Sequence, residues 1–398
     1  KYLKVRGSYG EVGNDQIGGD RFLYLPSSYG AASDSGVNKY NFGLASNPYT
    51  SLMIVENKIG NPDLTWEKAK KMNVGVDINL FNNCLTASFD IFKEKRNNIL
   101  ANRSTSPMII GANLPAYNFG EMENRGWEMD LNFRHHIQDF HYWARFNYSF
   151  ARNEIIYMDE VQKRYDYQMT TGRRKNQFFG LIFDGYYNSW EEINALDRPK
   201  SSWSGNQLQP GDVKYVDVNQ DGVIDDYDMV PIGYTPVPEI IYGFSFGAQY
   251  KGFDFSILFQ GADNVSIKYF GRSMWPFAKG EESAKSLIKE RWTQERYEAG
   301  EKITFPRLSL NPNGETDHNY RPSTLWIRDA SYLRLKNLEV GYTFTGGFVK
   351  RLNLNSVRLY FNGSNLFTWT DVVDLDPEAP SRSGNVEINT YPLQKVYN

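Results

Sequence analysis

The sequence predicts an all-β chain whose antiparallel strands curve into a barrel wall that crosses a membrane. Three observations carry this. First, hydrophobicity alternates with a period of two in segment after segment. Val74, Val76, Ile78 and Leu80, for example, are interleaved with Asn73, Gly75, Asp77 and Asn79, the mark of strands whose two faces meet different surroundings. Second, the polar face is charged: Glu128, Asp130, Asn132 and Arg134 alternate with Trp127, Met129, Leu131 and Phe133. Such a face cannot form the dry layer of a sandwich, but it can line a water-filled lumen while the apolar face meets lipid. Third, short turns near 82, 137 and 251 and a moderate one over 345–355 alternate with long insertions over 14–65, 102–122, 157–237, 264–325 and 370–389. Short turns at one end and long loops at the other are the asymmetry of an outer-membrane barrel.

In chain order, Lys1–Gly13 reads as a strand, with Leu3 and Val5 against Lys4 and Arg6. From Met72 a strand runs to a tight turn at Asn82-Asn83 and returns through Leu85, Ala87, Phe89 and Ile91, a hairpin with a very short turn. A second hairpin runs from Trp127 to Phe133, turns near His136–Asp139, and continues from Phe140 to Phe150. A third runs from Pro238 to Tyr250, turns at Lys251-Gly252, and returns through Phe253, Phe255, Ile257 and Phe259. One helix is expected at Glu281–Glu295, where Ala284, Leu287, Ile288 and Trp292 form an apolar stripe. In Tyr332–Phe344 the apolar phase slips from Leu333 and Leu335 to Leu338 and Val340, which predicts a bulge near Lys336–Asn337. Ser356–Trp369 follows, and a last strand begins near Asn389. The phase places Phe146, Tyr148, Phe244, Phe246, Phe255 and Phe259 toward lipid and Ser245, Gln249, Asp254 and Gln260 toward the lumen.

Composition narrows the function. A net charge of −3 gives no basic field for nucleic acid. The single Cys84 excludes an internal disulfide. No apolar run approaches the ~18 residues of a membrane helix. Aromatics make up 15% of the 398 residues and there are 33 glycines, which suits a barrel with aromatic girdles or a secreted sugar-binding β protein. The opening residues lie inside a strand pattern with no leader ahead of them, so a longer protein is expected.

The most specific local motif is in the largest insertion. Asp217, Asn219, Asp221, Gly222, Asp225 and Asp228 reproduce D-x-N-x-D-G-x-x-D-x-x-D. Oxygens at positions one, three and five, the carbonyl of Val223 at seven, Asp225 at nine and Asp228 at twelve can surround a hard cation, and the glycine lets the chain turn. Position twelve is Asp where a longer Glu is usual, and no amphipathic helix flanks the loop. Two readings stay open: a solvated acidic turn, or a structural Ca²⁺ loop on the extracellular side.

Asn61-Pro-Asp-Leu-Thr-Trp-Glu-Lys, Asn124-Arg-Gly-Trp-Glu-Met-Asp-Leu, Asp217–Asp228, Ser331-Tyr-Leu-Arg-Leu-Lys-Asn-Leu-Glu-Val-Gly-Tyr and Asn362-Gly-Ser-Asn-Leu-Phe-Thr occur in that order. Together they resemble the SusC/RagA family of TonB-dependent outer-membrane transporters. The resemblance implies that residues 1–398 are about the last ten strands of a 22-stranded barrel, with plug domain and N-terminal strands outside this chain. It also implies active import of glycan or peptide fragments, a TonB complex engaged through the N-terminal region, and a SusD-like surface lipoprotein as lid. The alternative is a secreted, calcium-stabilised glycan-binding or glycan-cleaving β protein.

No catalytic constellation is found. Gly243-Phe-Ser-Phe-Gly247 matches a nucleophile pattern but sits mid-strand rather than on a strand–turn–helix elbow. His135, His136 and His141 lack the helical spacing of a zinc hydrolase. The adjacent acids Glu191-Glu192 and Asp225-Asp226 say nothing of the separation that glycosidase chemistry needs. Tyr186, Tyr187, Trp190, Trp203, Trp275 and Tyr320 are candidates to stack on sugars or to hold the loops together.

Overall fold

The computed structural model describes residues 2–15, 23–25, 30–31, 39–44, 49–55, 59–105, 114–203, 208–269, 275–277, 286–309, 317–372, 375–378 and 393–398. Ten strands form one sheet: β1 (Tyr2–Asn14), β2 (Glu67–Leu80), β3 (Leu85–Ala101), β4 (Tyr117–Ile137), β5 (Phe140–Tyr157), β6 (Ile240–Tyr250), β7 (Phe253–Asp263), β8 (Tyr332–Phe344), β9 (Val357–Thr370) and β10 (Val396–Tyr397). Each pairs only with its neighbours in sequence, antiparallel throughout. This is the meander that short hairpin turns impose. Among the described residues β1 and β10 each have a single neighbour, so the sheet ends in two open edges.

The hairpin turns show why the register holds. Phe81, Asn82 and Asn83 all have positive φ, as do Gln138 and Lys251, a conformation that Asn tolerates and that tight reversals require. Register then pairs like with like. Phe244 lies between Phe146 and Phe259, and Val76 faces Phe89. The six aromatics assigned to lipid therefore share one face, and Ser245, Gln249, Asp254 and Gln260 share the other. The outer apolar face is open: Val5, Tyr9, Leu359 and Phe367 are all more than half exposed, as expected of residues that meet lipid.

The bulge falls where the phase slip placed it. Lys336 has no partner on either neighbouring strand, and register shifts at Leu335/Asn337 on one side and Leu258/Phe259 on the other. That one extra residue keeps Leu333 and Leu338 on the same face.

Three sequence expectations need correction. β2 starts at Glu67 instead of Met72, β3 runs on to Ala101, β4 begins at Tyr117, inside the expected connection, and β5 reaches Tyr157. Stretches such as Glu67–Lys71 and Lys93–Asn98 are largely polar on both faces because they lie beyond the apolar band, and Ile155-Ile156-Tyr157 is apolar without alternating, so alternation gave no signal there. The expected helix is broken. Residues 281–285 lie outside the described residues, Ser286–Glu290 is a 3₁₀ turn, and only Gln294–Glu298 (α2) is α-helical. Between them Arg291 bridges to Phe305, and the Trp292 amide donates to the Phe305 carbonyl at 2.8 Å. Tertiary pairing thus competes with the helix. Two further short helices, α1 (Trp190–Ile193) and α3 (Gly347–Arg351), were not expected. The expected start of the last strand lies outside the described residues, and β10 itself has two residues.

The main core lies outside the sheet. The described residues of 158–239 and 264–331 pack together around Leu181, Val213, Ile267, Phe305 and Trp326.

Candidate functional site: the polar face and its extracellular inserts

Side chains on the polar face hold one another across strands. Arg6 on β1 donates to Asp77 on β2 at 2.9 Å and to Asp90 on β3 at 2.8 Å, with Ser88 at 3.1 Å. At the other side of the sheet Arg358 on β9 spans Glu339 on β8, at 2.5 Å, and Asp254 on β7. Between them a cleft of about 290 Å³ is lined by Asp90, Glu128, Asp130, Asn147 and Ser149. These groups face one space.

At the long-loop end a buried cation fixes a strap across the same face. Arg334 on β8 is 1% exposed. It donates to Asp376 at 2.7 Å and Glu378 at 2.5 Å, and Tyr332 and Gln260 also reach Glu378. Burial pushes Asp376 upward, but Arg334 and the amides of Leu393 and Glu378 hold its carboxyl below the usual range. The sequence reading missed this cluster, because an arginine between Leu333 and Leu335 is ordinary alternation and nothing local marks its burial.

The two inserts are joined by a second buried polar cluster. Asn319 donates to Asp212 at 2.8 Å and accepts from the Val213 amide at 2.9 Å, and Arg307 reaches Asp212 at 2.6 Å. His318 sits between the Val213 carbonyl, 2.8 Å from Nε2, and Ser201 Oγ, 3.0 Å from Nδ1. A carbonyl only accepts, so Nε2 carries the proton and Nδ1 accepts from the serine. Burial lowers the His318 pKa. Nothing local in the sequence marks it.

The calcium-like loop is built as a chain of side chain–to–amide bonds. Asp217 Oδ2 accepts from Gly222, Asn219 Oδ1 from Asp221, Asp221 Oδ1 from Val223, and Asp225 Oδ1 from Tyr227. Asp228 is fully buried. Its Oδ1 accepts from Val218 at 2.8 Å and its Oδ2 from Asp225 at 2.9 Å. Burial raises its pKa. The position assigned to the end of a metal shell is thus already satisfied by backbone. Asp217 Oδ1 differs, being buried with no hydrogen-bond partner. Among the described residues, no three His, Cys, Asp or Glu side chains converge as a metal-holding group. Any cation here would depend on Asn219 and the Val223 carbonyl as well as on Asp217, Asp221 and Asp225. The donor set fits a hard, weakly held ion with oxygen ligands.

The remaining candidates resolve simply. Ser245 lies in the middle of β6, far from any elbow. Tyr186, Tyr187, Trp275 and Tyr320 are buried loop core, and Trp203 is capped by Arg321 at 4.0 Å. Of the six loop aromatics only Trp190, 55% exposed, presents itself to solvent.

Residues 1–366 match the family model described as TonB dependent receptor-like, beta-barrel. The chain belongs to that family. TonB-dependent receptor P3 of Formosa agariphila is 28% identical over 96% of this chain, and TonB-dependent receptor SusC of Bacteroides thetaiotaomicron is 26% identical over 99% of it. The chain spans 36% and 37% of those two proteins. The structure of the RagAB peptide importer in its open-open state superposes with a TM-score of 0.70 at 23% identity, covering all of this chain and 39% of that one. The fold is therefore a SusC/RagA-type section of a TonB-dependent barrel, located in the outer membrane. The secreted-protein alternative falls with that assignment, because the apolar face belongs against lipid.

Proposed function

We propose that this chain is the C-terminal part of an outer-membrane importer of glycan or peptide fragments, energised through TonB and working with a SusD-like lid lipoprotein. The observation that carries the reading is the pairing of two surfaces on one sheet. A continuous apolar face stands opposite a charged face cross-braced by Arg6 at one side and by Arg358 at the other, and two large inserts pack together at the long-loop end. The unpaired edges of β1 and β10 and the partial coverage of its relatives support a barrel completed by further strands and a plug from the same gene product. An open edge in lipid leaves backbone groups unsatisfied at several kcal/mol each.

The Asp217–Asp228 loop would bind one Ca²⁺ through Asp217, Asn219, Asp221, the Val223 carbonyl and Asp225, with Asp228 bracing the loop from behind. The unpartnered Asp217 Oδ1 supports this. The ion's role is structural, since it adds ordering energy to a polar loop.

Uptake of labelled oligosaccharides and peptides by cells carrying the intact gene tests the proposal. Uptake should disappear when TonB is deleted and when the partner lipoprotein is removed. Uptake that continues unchanged without TonB would mark a passive pore and overturn the reading.

A further inference from the structure

Outside the polar face, the outward face changes character at a defined height. Val74, Ile91, Trp127, Phe150 and Ile240 lie side by side across β2 to β6 as a wholly apolar row. In the next row toward the long loops, Met72, Lys93, Arg125 and Arg152 are direct cross-strand neighbours, and beyond it Lys70 faces Lys95. Like charges directly opposite one another destabilise a sheet, so this row costs stability unless an anion joins it. Internal carboxylates satisfy only part of it. Glu123 reaches Lys93 at 2.9 Å, Glu121 reaches Lys95 at 2.9 Å and Glu239 takes Arg152 at 2.8 Å. Arg125 and Lys70, both exposed, make no ion pair among the described residues: Glu11, directly opposite Lys70, turns to Lys68 at 3.4 Å instead.

We propose that Lys70, Lys93 and Arg125 form a docking surface for a phosphate-bearing lipid headgroup of the outer leaflet. The row lies immediately above the apolar band and at the long-loop end, which is where outer-leaflet headgroups stand. Lys93 and Arg125 are directly opposite on adjacent strands, with Cβ atoms about 5 Å apart, so their heads can share one phosphate, the guanidinium through two parallel bonds. The acyl chains of the same molecule then lie on Ile91 and Trp127. A free phosphate gains nothing from that apolar row, so the geometry favours an anchored phosphate. This is a contact on the outside of the wall, separate from any cargo path on the polar face.

The test uses the intact protein that carries this chain, extracted in mild detergent and examined by native mass spectrometry with added lipid A as the probe. The Lys70→Gln/Lys93→Gln/Arg125→Gln variant should retain at least about tenfold less lipid A than the parent. Lys71→Gln, one residue away on the opposite face, where Lys71 meets Glu94, should retain it fully. Millimolar inorganic phosphate should not displace the lipid. Equal retention by the triple variant and the parent overturns the proposal, and so does displacement by inorganic phosphate, which would mark a simple anion site. If the triple variant does not assemble, Arg125→Gln alone is read in the same assay, and undiminished retention there is equally fatal.

Discussion

Arg334 and Asp376 are 2.7 Å apart, and both are nearly inaccessible to solvent. One lies on a membrane strand and the other in the strap residues 375–378 beyond β9, so this pair, with the neighbouring Glu378 contacts, ties loop to wall. Arg334→Met would leave Asp376 without a cation and Glu378 with only Lys336, 3.9 Å away. Breaking a buried pair in this way costs roughly 3–5 kcal/mol. The strap should become a protease-sensitive site while the strands stay folded, and limited proteolysis in detergent checks this.

The same pair sets an acid limit. Asp376 is held below its ordinary value in the fold, so its stabilisation is complete above the unfolded value of about 4. It is lost as pH falls from there through the lower folded value. Release of the strap should therefore begin only below about pH 4, read by the same proteolysis across a pH series.

His318 behaves alike at a higher pH. Burial favours its neutral form, so the junction of the two inserts is fully stable above about pH 6.5 and weakens as pH falls below it. Asp212 and Asp317 oppose that loss, because they favour the charged form, and Arg321 adds to it. In His318→Gln the inserts should show no change in hydrogen-exchange protection between pH 6.5 and 5, whereas the parent should lose protection over that interval.

The two faces predict different tolerances for charge. Ile257→Arg places a cation in lipid at a cost of ~2–4 kcal/mol. Ser256→Arg, one residue away, faces Glu339 across the strand pair and should cost much less. Folded fraction by heat-modifiable gel mobility distinguishes them, and equal losses would contradict the assignment of faces.

In the acidic loop, two substitutions separate architecture from ion binding. Asp228→Asn loses an acceptor for a buried amide, costing about 1–3 kcal/mol, and should loosen the loop with or without calcium. Asp217→Asn should leave the loop ordered in chelator but abolish any calcium-dependent protection. A parent loop equally protected in calcium and in chelator would leave only the acidic-turn reading.

The sheet was legible wherever one face met lipid, because lipid enforces alternation on every second residue. The order and phase of the strands, the bulge at Lys336 and the turns at 82, 138 and 251 all follow from that rule. Legibility stopped where the rule stopped. In Glu67–Lys71 and Lys93–Asn98 both faces are largely polar, so nothing distinguished strand from loop. The apolar stripe of Leu287, Ile288 and Trp292 is real, but it packs onto Phe305 from a 3₁₀ turn and an extended step. The clusters around Asp212 and Arg334 unite residues more than forty positions apart, and only the fold brings them together.

The strands differ greatly in length. β4 has 21 residues, whereas β6 and β7 have 11 each. All share one level at the short turns, so the rim at the other end is slanted, with one side rising about 30 Å further along the strand direction. The high side stands clear of the bilayer as a parapet, while the low side is where the two packed inserts begin. The long-loop rim is therefore a low sill beside a tall backstop, and the mouth it frames faces obliquely rather than straight along the strands.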